Sequence, residues 1–358
     1  MATKVYFEVK METSNSLTGN ILIFVSGLFL ILLSKVGWIS SISSLSKTLE
    51  AIGFALAGYS PLRLAIFFGE YLTKRNTEAS IERFFRSTVK VTSAKEHLPL
   101  LFAIDISGCI SPSDRSVIEL RKLQRLRGYC NFVRANPEFP KIVFYTGRSQ
   151  GYLEFLVQSL GMISNPFDIP HIIENGAALY YAVSKRTIPL LTNEDSNLIH
   201  QAQTLISNAF PENPVEPKSY MMTINPLETE NIDQLLIKVV NFANKQGLYD
   251  LVNITSTYSA VDITAKSTSK INALQKAIEY YYGKREGYDL SAVVSFGDTL
   301  SDFDILKNTG RAYCPSEKVH YEVRDYIMKK FGAGNVIPLS DVNFTVKVIE
   351  KECGLQIL

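Results

Sequence analysis

The stretch "LPLLFAIDISGCI", residues 98–110, decides the fold class and locates the first candidate site residue. Its first part is a continuous apolar run of strand length, which is typical of a strand buried on both faces of a parallel sheet. The run ends at Asp105, and Ser107 follows two positions later. We therefore predict a buried strand with a polar site at its carboxyl end.

Three further apolar runs repeat this pattern along the chain. They are "KIVFYTGR" (141–148), "IPHIIENGAALYY" (169–181, broken by a turn at Asn175-Gly176) and "AVVSFGDTLSD" (292–302). Helical patterns over 149–160 and 267–282 lie between the runs. Alternating strands and helices predict an α/β doubly wound fold, whose ligands bind at the carboxyl ends of the strands. We therefore expect Asp105, Thr146 and Asp298, each at a strand end, to converge on one crevice.

These residue types suit phosphoryl transfer. An aspartate can attack phosphorus and form an aspartyl-phosphate, which divides hydrolysis into two easier steps. Charge that develops on the phosphoryl oxygens is stabilised by donors and cations, and Thr146 and Lys270 offer both. Asp298 and Asp302, four residues apart in "GDTLSD", could hold a divalent cation, and Mg²⁺ favours a few carboxylates with water and substrate phosphate.

The ordered set resembles the motifs of the haloacid dehalogenase superfamily of phosphohydrolases, over roughly residues 98–340. The resemblance implies that Asp105 is the nucleophile, that Lys270 is the third-motif lysine and that Thr146 belongs to the second motif. Lys266 is a rival for the lysine role, but "SKINAL" favours Lys270. The magnesium ligands implied are Asp105, Asp298, Asp302 and the backbone carbonyl of Ser107. Substrate binding is assigned to Gly147, Arg148, Asn175 and Lys218.

"IIENGAALYY" resembles the branch of this superfamily that carries its cap domain after the third core strand. That branch includes sucrose-phosphate, mannosyl-3-phosphoglycerate and trehalose-phosphate phosphatases. We predict a core of residues 96–181 and 261–358 and an inserted α+β cap of residues 182–260, which begins with a strand at "TIPLL" (187–191). "VEPKSYMMTIN" (215–225) resembles a cap strand that presents a lysine to substrate. The alternative for Lys218 is a surface lysine on an edge strand.

The first motif departs from the family pattern D-x-D-G-T at two positions. Ser107 replaces the second aspartate, which protonates the leaving group and later activates water, a contribution of about 10²–10⁴-fold in rate. Serine cannot carry out that proton transfer at neutral pH, so we expect reduced turnover unless another group, such as Asp114, replaces it. Cys109 in place of threonine is expected to affect the hydrogen bonding of the loop more than the chemistry.

The N-terminal region, residues 1–95, is predicted to be apolar and helical. Residues 21–42 and 51–68 are apolar with few interruptions, and they could form a helical hairpin packed on the protein or insert into a membrane. Residues 70–95 hold six basic residues against three acidic ones, which favours a cytoplasmic catalytic domain anchored through residues 21–68. The same basic residues could be the solvated face of a linker helix.

Composition excludes several classes of function. The formal net charge of +2 and the lack of a basic block argue against nucleic-acid binding. The four cysteines form no C-x-x-C pair and have no metal-ligand spacing, which is typical of a reduced intracellular protein without a zinc site.

The sequence leaves three functional hypotheses. The first is a Mg²⁺-dependent phosphatase acting on a small phosphorylated metabolite, with a sugar phosphate as the favoured substrate. The second is a catalytically degenerate, membrane-tethered binding or scaffold protein that keeps the fold. The third is phosphotransfer through a persistent aspartyl-phosphate, as in a mutase.

Overall fold

The computed structural model describes residues 89–112, 120–257, 259–283 and 289–358. The chain divides into two units, Met1–Arg83 and Phe84–Leu358, and the described residues all belong to the second. The predicted apolar segments at 21–68 and the candidate Asp114 lie outside the described residues. No helix in the described ranges is both long enough and apolar enough to cross a membrane.

The described strands are β1 (Val89–Val91), β2 (Leu101–Asp105), β3 (Lys141–Tyr145), β4 (His171–Ile173), β5 (Ala178–Tyr181), β6 (Arg186–Pro189), β7 (Val215–Glu216), β8 (Met222–Ile224), β9 (Val252–Ser256), β10 (Val261–Ala265), β11 (Val293–Phe296), β12 (Arg311–Pro315), β13 (Val336–Ile337) and β14 (Leu355–Ile357). The described α-helices are α1 (Leu120–Ala135), α2 (Gln150–Ser159), α3 (Asn193–Ala209), α4 (Ile232–Lys245), α5 (Lys270–Tyr282), α6 (Phe303–Asn308), α7 (Tyr321–Phe331) and α8 (Asp341–Cys353).

The core is an eight-stranded sheet in the order β13-β12-β11-β2-β3-β4-β5-β6. The pairs from β13 to β4 are parallel, and β5 and β6 add an antiparallel edge. Every residue of β2 is buried. Phe102 and Ile104 join one hydrophobic cluster, to which α1, α2 and α8 contribute, whereas Leu101 and Ala103 join another with α5. Helices therefore cover both faces, and the predicted mixed α/β fold with a parallel-sheet core is confirmed.

A second, smaller sheet forms the inserted cap, in the order β7-β8-β10-β9 with antiparallel pairs. Helices α3 and α4 pack on it through a separate hydrophobic cluster. The predicted boundaries at 182 and 260 were wrong by one strand at each end. β6, which was placed in the cap, pairs with β5 in the core sheet, and β10, which was placed in the core, pairs with β8 and β9. The hydrophobic pattern of a strand indicates which face is buried, and it does not specify which sheet the strand joins.

The start of the described chain also differs from the prediction. The helical N-terminal region was extended to residue 95, but Val89–Val91 is a strand that pairs antiparallel with β14 near the C-terminus. Thr92 strengthens this pairing, since its backbone N–H and its hydroxyl both donate to the carbonyl of Gly354 at 2.8 Å. The alternation of two valines around Lys90 is the period-2 pattern of a strand.

One buried histidine of the core sheet makes stability depend on pH. His171 in β4 is fully buried, and its Nδ1 accepts a hydrogen bond from the backbone N–H of Phe144 at 3.1 Å. Burial lowers the pKa of His171 to about 3. A histidine in the unfolded chain has a pKa of about 6.5, so between these values the unfolded state binds more protons and the folded state loses stability as the pH falls.

Lowering the pH from 7 to 5 should therefore reduce the free energy of unfolding of wild type. This reduction should be about 2 kcal/mol larger than the reduction in His171→Asn. Asparagine can accept the same backbone N–H but does not titrate. The measurement is denaturant unfolding of both proteins at the two pH values. Equal losses in the two proteins would contradict the assignment of a neutral His171.

Candidate active site

Residues from both domains surround one cavity at the carboxyl ends of the core strands. All the predicted site residues except Asp298 and Asp302 line it, namely Asp105, Ser107, Thr146, Gly147, Arg148, Asn175, Lys218 and Lys270. The remaining lining comes from Thr299 and Ser301 of the core and from cap residues that include Glu216, Thr223 and Asp262. The predicted convergence of separate strand ends is therefore present in the structure, and the cap covers it.

Lys270 lies at the first turn of α5, where Ser269 caps the helix by accepting the backbone N–H of Asn272. Its ammonium is buried and lies 2.8 Å from Asp302 Oδ1 and 4.0 Å from Asp105 Oδ1. Burial alone would lower the pKa of Lys270, but the charges of Asp302 and Asp105 outweigh it and the pKa is raised. The rival Lys266 is exposed. The structure therefore places Lys270, and not Lys266, against the predicted nucleophile.

Both carboxylate oxygens of Asp302 are already engaged by the protein. Oδ1 accepts from Lys270 Nζ, and Oδ2 accepts from the backbone N–H groups of Asp298 and Thr299 and from the Thr299 hydroxyl, at 2.8–3.2 Å. A carboxylate with these partners orients Lys270 and fixes the turn after β11. The prediction that Asp302 is a direct metal ligand therefore has less support than the prediction for Asp298.

Asp298 is fully buried, and neither of its carboxylate oxygens has a hydrogen-bond partner among the described residues. One oxygen each from Asp298, Asp105 and Asp302 lie within 4.8 Å of one another. Gly108, at φ +78°, leaves the space beside the Asp298 carboxylate that a Cβ would fill. Buried polar groups without a partner are rare, and three adjacent carboxylates are the donors that a hard divalent cation takes. The residues therefore fit a Mg²⁺ ion.

The close carboxylates influence one another's protonation. Burial raises the pKa of Asp105 well above its usual value, and the charge of Asp302 raises it further, while Lys270 opposes both. The pKa of Asp298 is raised for the same reasons, burial first and then Asp302 and Asp105. Without a cation, the site therefore holds its negative charge at a cost to stability.

Asp298→Asn should raise the free energy of unfolding of the metal-free protein, because it removes one of three mutually repelling buried carboxylates. The same variant should lose the rise in melting temperature that Mg²⁺ gives to wild type. Thermal unfolding with a Mg²⁺ titration and with a chelator measures both effects. Asp302→Asn is the matched control: it should destabilise the protein in either condition, since it weakens the bonds to Lys270 and Thr299. A Mg²⁺ response retained in Asp298→Asn would exclude Asp298 as a ligand.

The loop after β3 brings hydrogen-bond donors to the cavity. Thr146 is buried, and its Oγ1 accepts the backbone N–H of Arg148 at 3.1 Å, which leaves the hydroxyl hydrogen available to a ligand. The Arg148 guanidinium lies over the ring of Tyr152 and 3.5 Å from the Ser107 hydroxyl. Ser107 therefore lies beside a cation, at the position where the family carries a carboxylate.

Lys218 reaches the cavity from the cap. Its side chain is 3% exposed, and its ammonium lies 3.2 Å from Glu216 Oε2 and bonds to the hydroxyl of Thr223. The alternative of a solvated surface lysine is therefore wrong. Thr223 also donates to Asp262, whose second oxygen accepts from Asn175 Nδ2 at 3.1 Å.

Three buried polar residues were missed from the sequence: Thr223 and Asp262, which line this cavity, and Glu174, which precedes the lining residue Asn175. Each lies within or beside a short apolar strand, where a charged or polar side chain needs a partner. A polar residue within or next to an apolar strand was therefore the sequence feature that could have identified them. The partners themselves come from distant parts of the chain and could not be inferred.

Comparison with known proteins supports this architecture. Residues 216–318 match the family model of haloacid dehalogenase-like hydrolases. A protein from Plasmodium vivax described as a HAD/COF-like hydrolase is similar in structure, with a TM-score of 0.52, 14% identity and coverage of 72% of this chain and 96% of that chain. Thermoplasma acidophilum 0175 gives a TM-score of 0.51 at 15% identity, with coverage of 72% and 99%. A comparison with curated protein sequences finds no match.

A haloacid dehalogenase-like hydrolase from Bacteroides thetaiotaomicron is also similar, with a TM-score of 0.50, 16% identity and coverage of 70% of this chain and 98% of that chain. At these identities the structural likeness shows the fold. The described chain has the fold of a haloacid dehalogenase-like hydrolase, and the predicted resemblance to this superfamily is confirmed. The inserted cap is consistent with the branch predicted from "IIENGAALYY".

Proposed function

We propose that this protein is a Mg²⁺-dependent phosphatase that hydrolyses a small phosphorylated metabolite through an aspartyl-phosphate at Asp105. The observation that carries the proposal is the cluster formed by Asp105, Lys270 and the unpartnered Asp298 carboxylate beneath one cavity. The cluster combines a nucleophile, a buried cation and a set of oxygen donors that fits a divalent metal ion.

In the proposed reaction, a carboxylate oxygen of Asp105 attacks phosphorus, the new O–P bond forms and the bond to the leaving oxygen breaks. Lys270 and the Thr146 hydroxyl stabilise the charge on the phosphoryl oxygens. Water then attacks the aspartyl-phosphate, which releases phosphate and restores Asp105. Asp105, Asp298 and the carbonyl of Ser107 would hold Mg²⁺, which supplies positive charge beside the phosphoryl group when it is bound.

The proton transfers in this scheme lack their usual group. The leaving oxygen needs a proton in the first step, and the attacking water must lose one in the second. At neutral pH, Ser107 can neither donate the first proton nor accept the second. We therefore propose that the chemistry runs with slow turnover.

The favoured substrate is a sugar phosphate. The cavity above Asp105 has a volume of about 80 Å³, and Asn175, Lys270 and Ser301 separate it from a neighbouring cavity of about 430 Å³, whose lining they share. Hydroxyl and amide groups line much of the second cavity, including Asn253, Thr255, Thr264 and Thr268, together with the ring of Tyr249. Such a lining supports a polyhydroxylated leaving group, whose hydroxyls need hydrogen-bond partners when they are desolvated.

The test is release of inorganic phosphate from a panel of small phosphate esters and sugar phosphates, measured with Mg²⁺ and with a chelator. Asp105→Asn, purified in the same way, controls for contaminating phosphatases. Release that requires both Mg²⁺ and Asp105 supports the proposal. No difference between wild type and the variant on every substrate would contradict it.

A further inference from the structure

The turn between β4 and β5, residues 174–176, has an unusual backbone. Glu174 and Asn175 have φ values of 50° and 59°, in the left-handed region, and Gly176 follows at 97°. A Cβ at Gly176 would lie 2.6 Å from the backbone of Ser269, directly before Lys270. Non-glycine residues adopt this conformation at a cost, and it persists only where the surrounding contacts fix it.

On the core side, the turn is bonded to the loop that carries Thr146. The backbone N–H of Asn175 donates to the carbonyl of Thr146 at 2.9 Å, and that of Glu174 donates to the carbonyl of Arg148 at 3.3 Å. The turn therefore contacts both the Thr146 loop and the start of the helix that bears Lys270. A shift of the turn would move the groups that bind the phosphoryl oxygens.

On the cap side, the same turn holds the loop before β8. The Glu174 carboxylate, 2% exposed, accepts the backbone N–H of Ser219 at 3.2 Å and that of Tyr220 at 2.6 Å. The Tyr220 side chain packs against the hydrophobic cluster of the core. Gln203 of α3 binds the opposite side of this loop, since its amide donates to the carbonyls of Lys218 and Met221.

We infer that Glu174 is a latch that holds the cap closed over the site. Its two oxygens bond to cap backbone N–H groups, while its own backbone bonds to the Thr146 loop. When the cap lifts, water replaces the cap N–H groups around the carboxylate. Because bonds to water replace bonds to the cap, the net free energy of opening is small. A small opening free energy allows the cap to open, so that substrate enters and product leaves.

The role of Glu174 as a latch can be tested without any phosphatase activity. In Glu174→Gln, amide hydrogen exchange at Ser219 and Tyr220 should be about 10–100-fold faster than in wild type, because a charge-assisted pair of bonds is weakened. Glu230→Gln is the matched control: Glu230 binds Lys238, Asn213 and the N–H of Leu227, all within the cap. This control should leave exchange at Ser219 and Tyr220 unchanged. Unchanged exchange in Glu174→Gln as well would overturn the inference.

A kinetic readout rests on the proposed phosphatase activity. For the hexose phosphate that wild type hydrolyses fastest, Glu174→Gln should lower kcat/KM by about tenfold, mainly through KM, because the closed form is less populated. For acetyl phosphate, which is too small to need the cap, kcat/KM should change less than twofold. Equal losses on both substrates would indicate damage to the site itself and would contradict the latch. If wild type hydrolyses no substrate, the proposed function fails while amide exchange still tests the latch.

Discussion

Replacing Asp105 with asparagine is expected to lower kcat for Mg²⁺-dependent phosphate release by at least about 10³-fold, as removal of a covalent nucleophile does in other enzymes. The amide has nearly the same shape as the carboxylate, but it cannot form the acyl phosphate. Asp105 is the last residue of a fully buried strand and lines the cavity.

Two measurements make this result specific. Phosphate release gives kcat, and the mass of the acid-quenched protein reports whether a phosphoryl group is attached. Wild type should carry the group during turnover and Asp105→Asn should not. The variant should fold, because it removes one of three mutually repelling buried carboxylates. A folded variant that hydrolyses substrate at the wild-type rate would exclude Asp105 as the nucleophile.

The same pair of proteins separates the functional hypotheses. A degenerate binding protein would bind Mg²⁺ or a phosphorylated ligand without Asp105-dependent release of phosphate. A phosphotransfer protein would accumulate phosphorylated Asp105 from acetyl phosphate and pass the group to an acceptor other than water. A phosphatase would show both the phosphorylated protein and phosphate in solution. Asp105→Asn should abolish the last two behaviours.

The core of the fold could be predicted because its signals are local. The apolar runs that became β2, β3 and β11 are almost entirely buried. Strand β2 ends at Asp105, and Thr146 and Asp298 follow β3 and β11 within two residues. The carboxyl ends of parallel strands share one edge of the sheet, so Asp105, Thr146 and Asp298 had to lie close together. The order of strands and helices was therefore enough to predict that these three residues lie at one site.

Sheet membership could not be predicted in the same way. β6 is the last core strand before the cap, and β10 is the last cap strand before the chain returns to the core. Which sheet each joins depends on the edge strands already present, β5 for one and β8 and β9 for the other. This pairing depends on residues far away in the sequence, and the hydrophobic periodicity of the strand itself does not indicate it.

The different roles of Asp298 and Asp302 could not be predicted from the sequence either. Spacing presents Asp298 and Asp302 as equivalent, but only Asp302 meets Lys270 and the N–H groups of the turn. Asp298 keeps both oxygens free of protein partners in the described structure. Hydrogen-bond satisfaction therefore distinguishes a positioning carboxylate from a candidate ligand where sequence cannot.

Ser107 is the position where a substitution should increase activity. In Ser107→Asp, kcat for the best substrate of the panel should rise by about 10²–10⁴-fold, the usual contribution of a general acid–base. The new carboxylate would lie beside the Arg148 guanidinium, which is 3.5 Å from the serine hydroxyl and anchored on Tyr152. This cation offsets the cost of the added charge and favours the ionised form, which accepts a proton from the water that attacks the aspartyl-phosphate.

Ser107→Asn is the matched control, since asparagine has the size of aspartate and can accept a hydrogen bond but cannot transfer a proton at neutral pH. Its kcat should stay near that of wild type. The lifetime of the phosphorylated protein, followed after substrate is removed, should shorten in Ser107→Asp and not in Ser107→Asn. If neither kcat nor the lifetime changes in Ser107→Asp, proton transfer to the Ser107 position does not limit the reaction. Another step, such as opening of the cap, would then limit the rate.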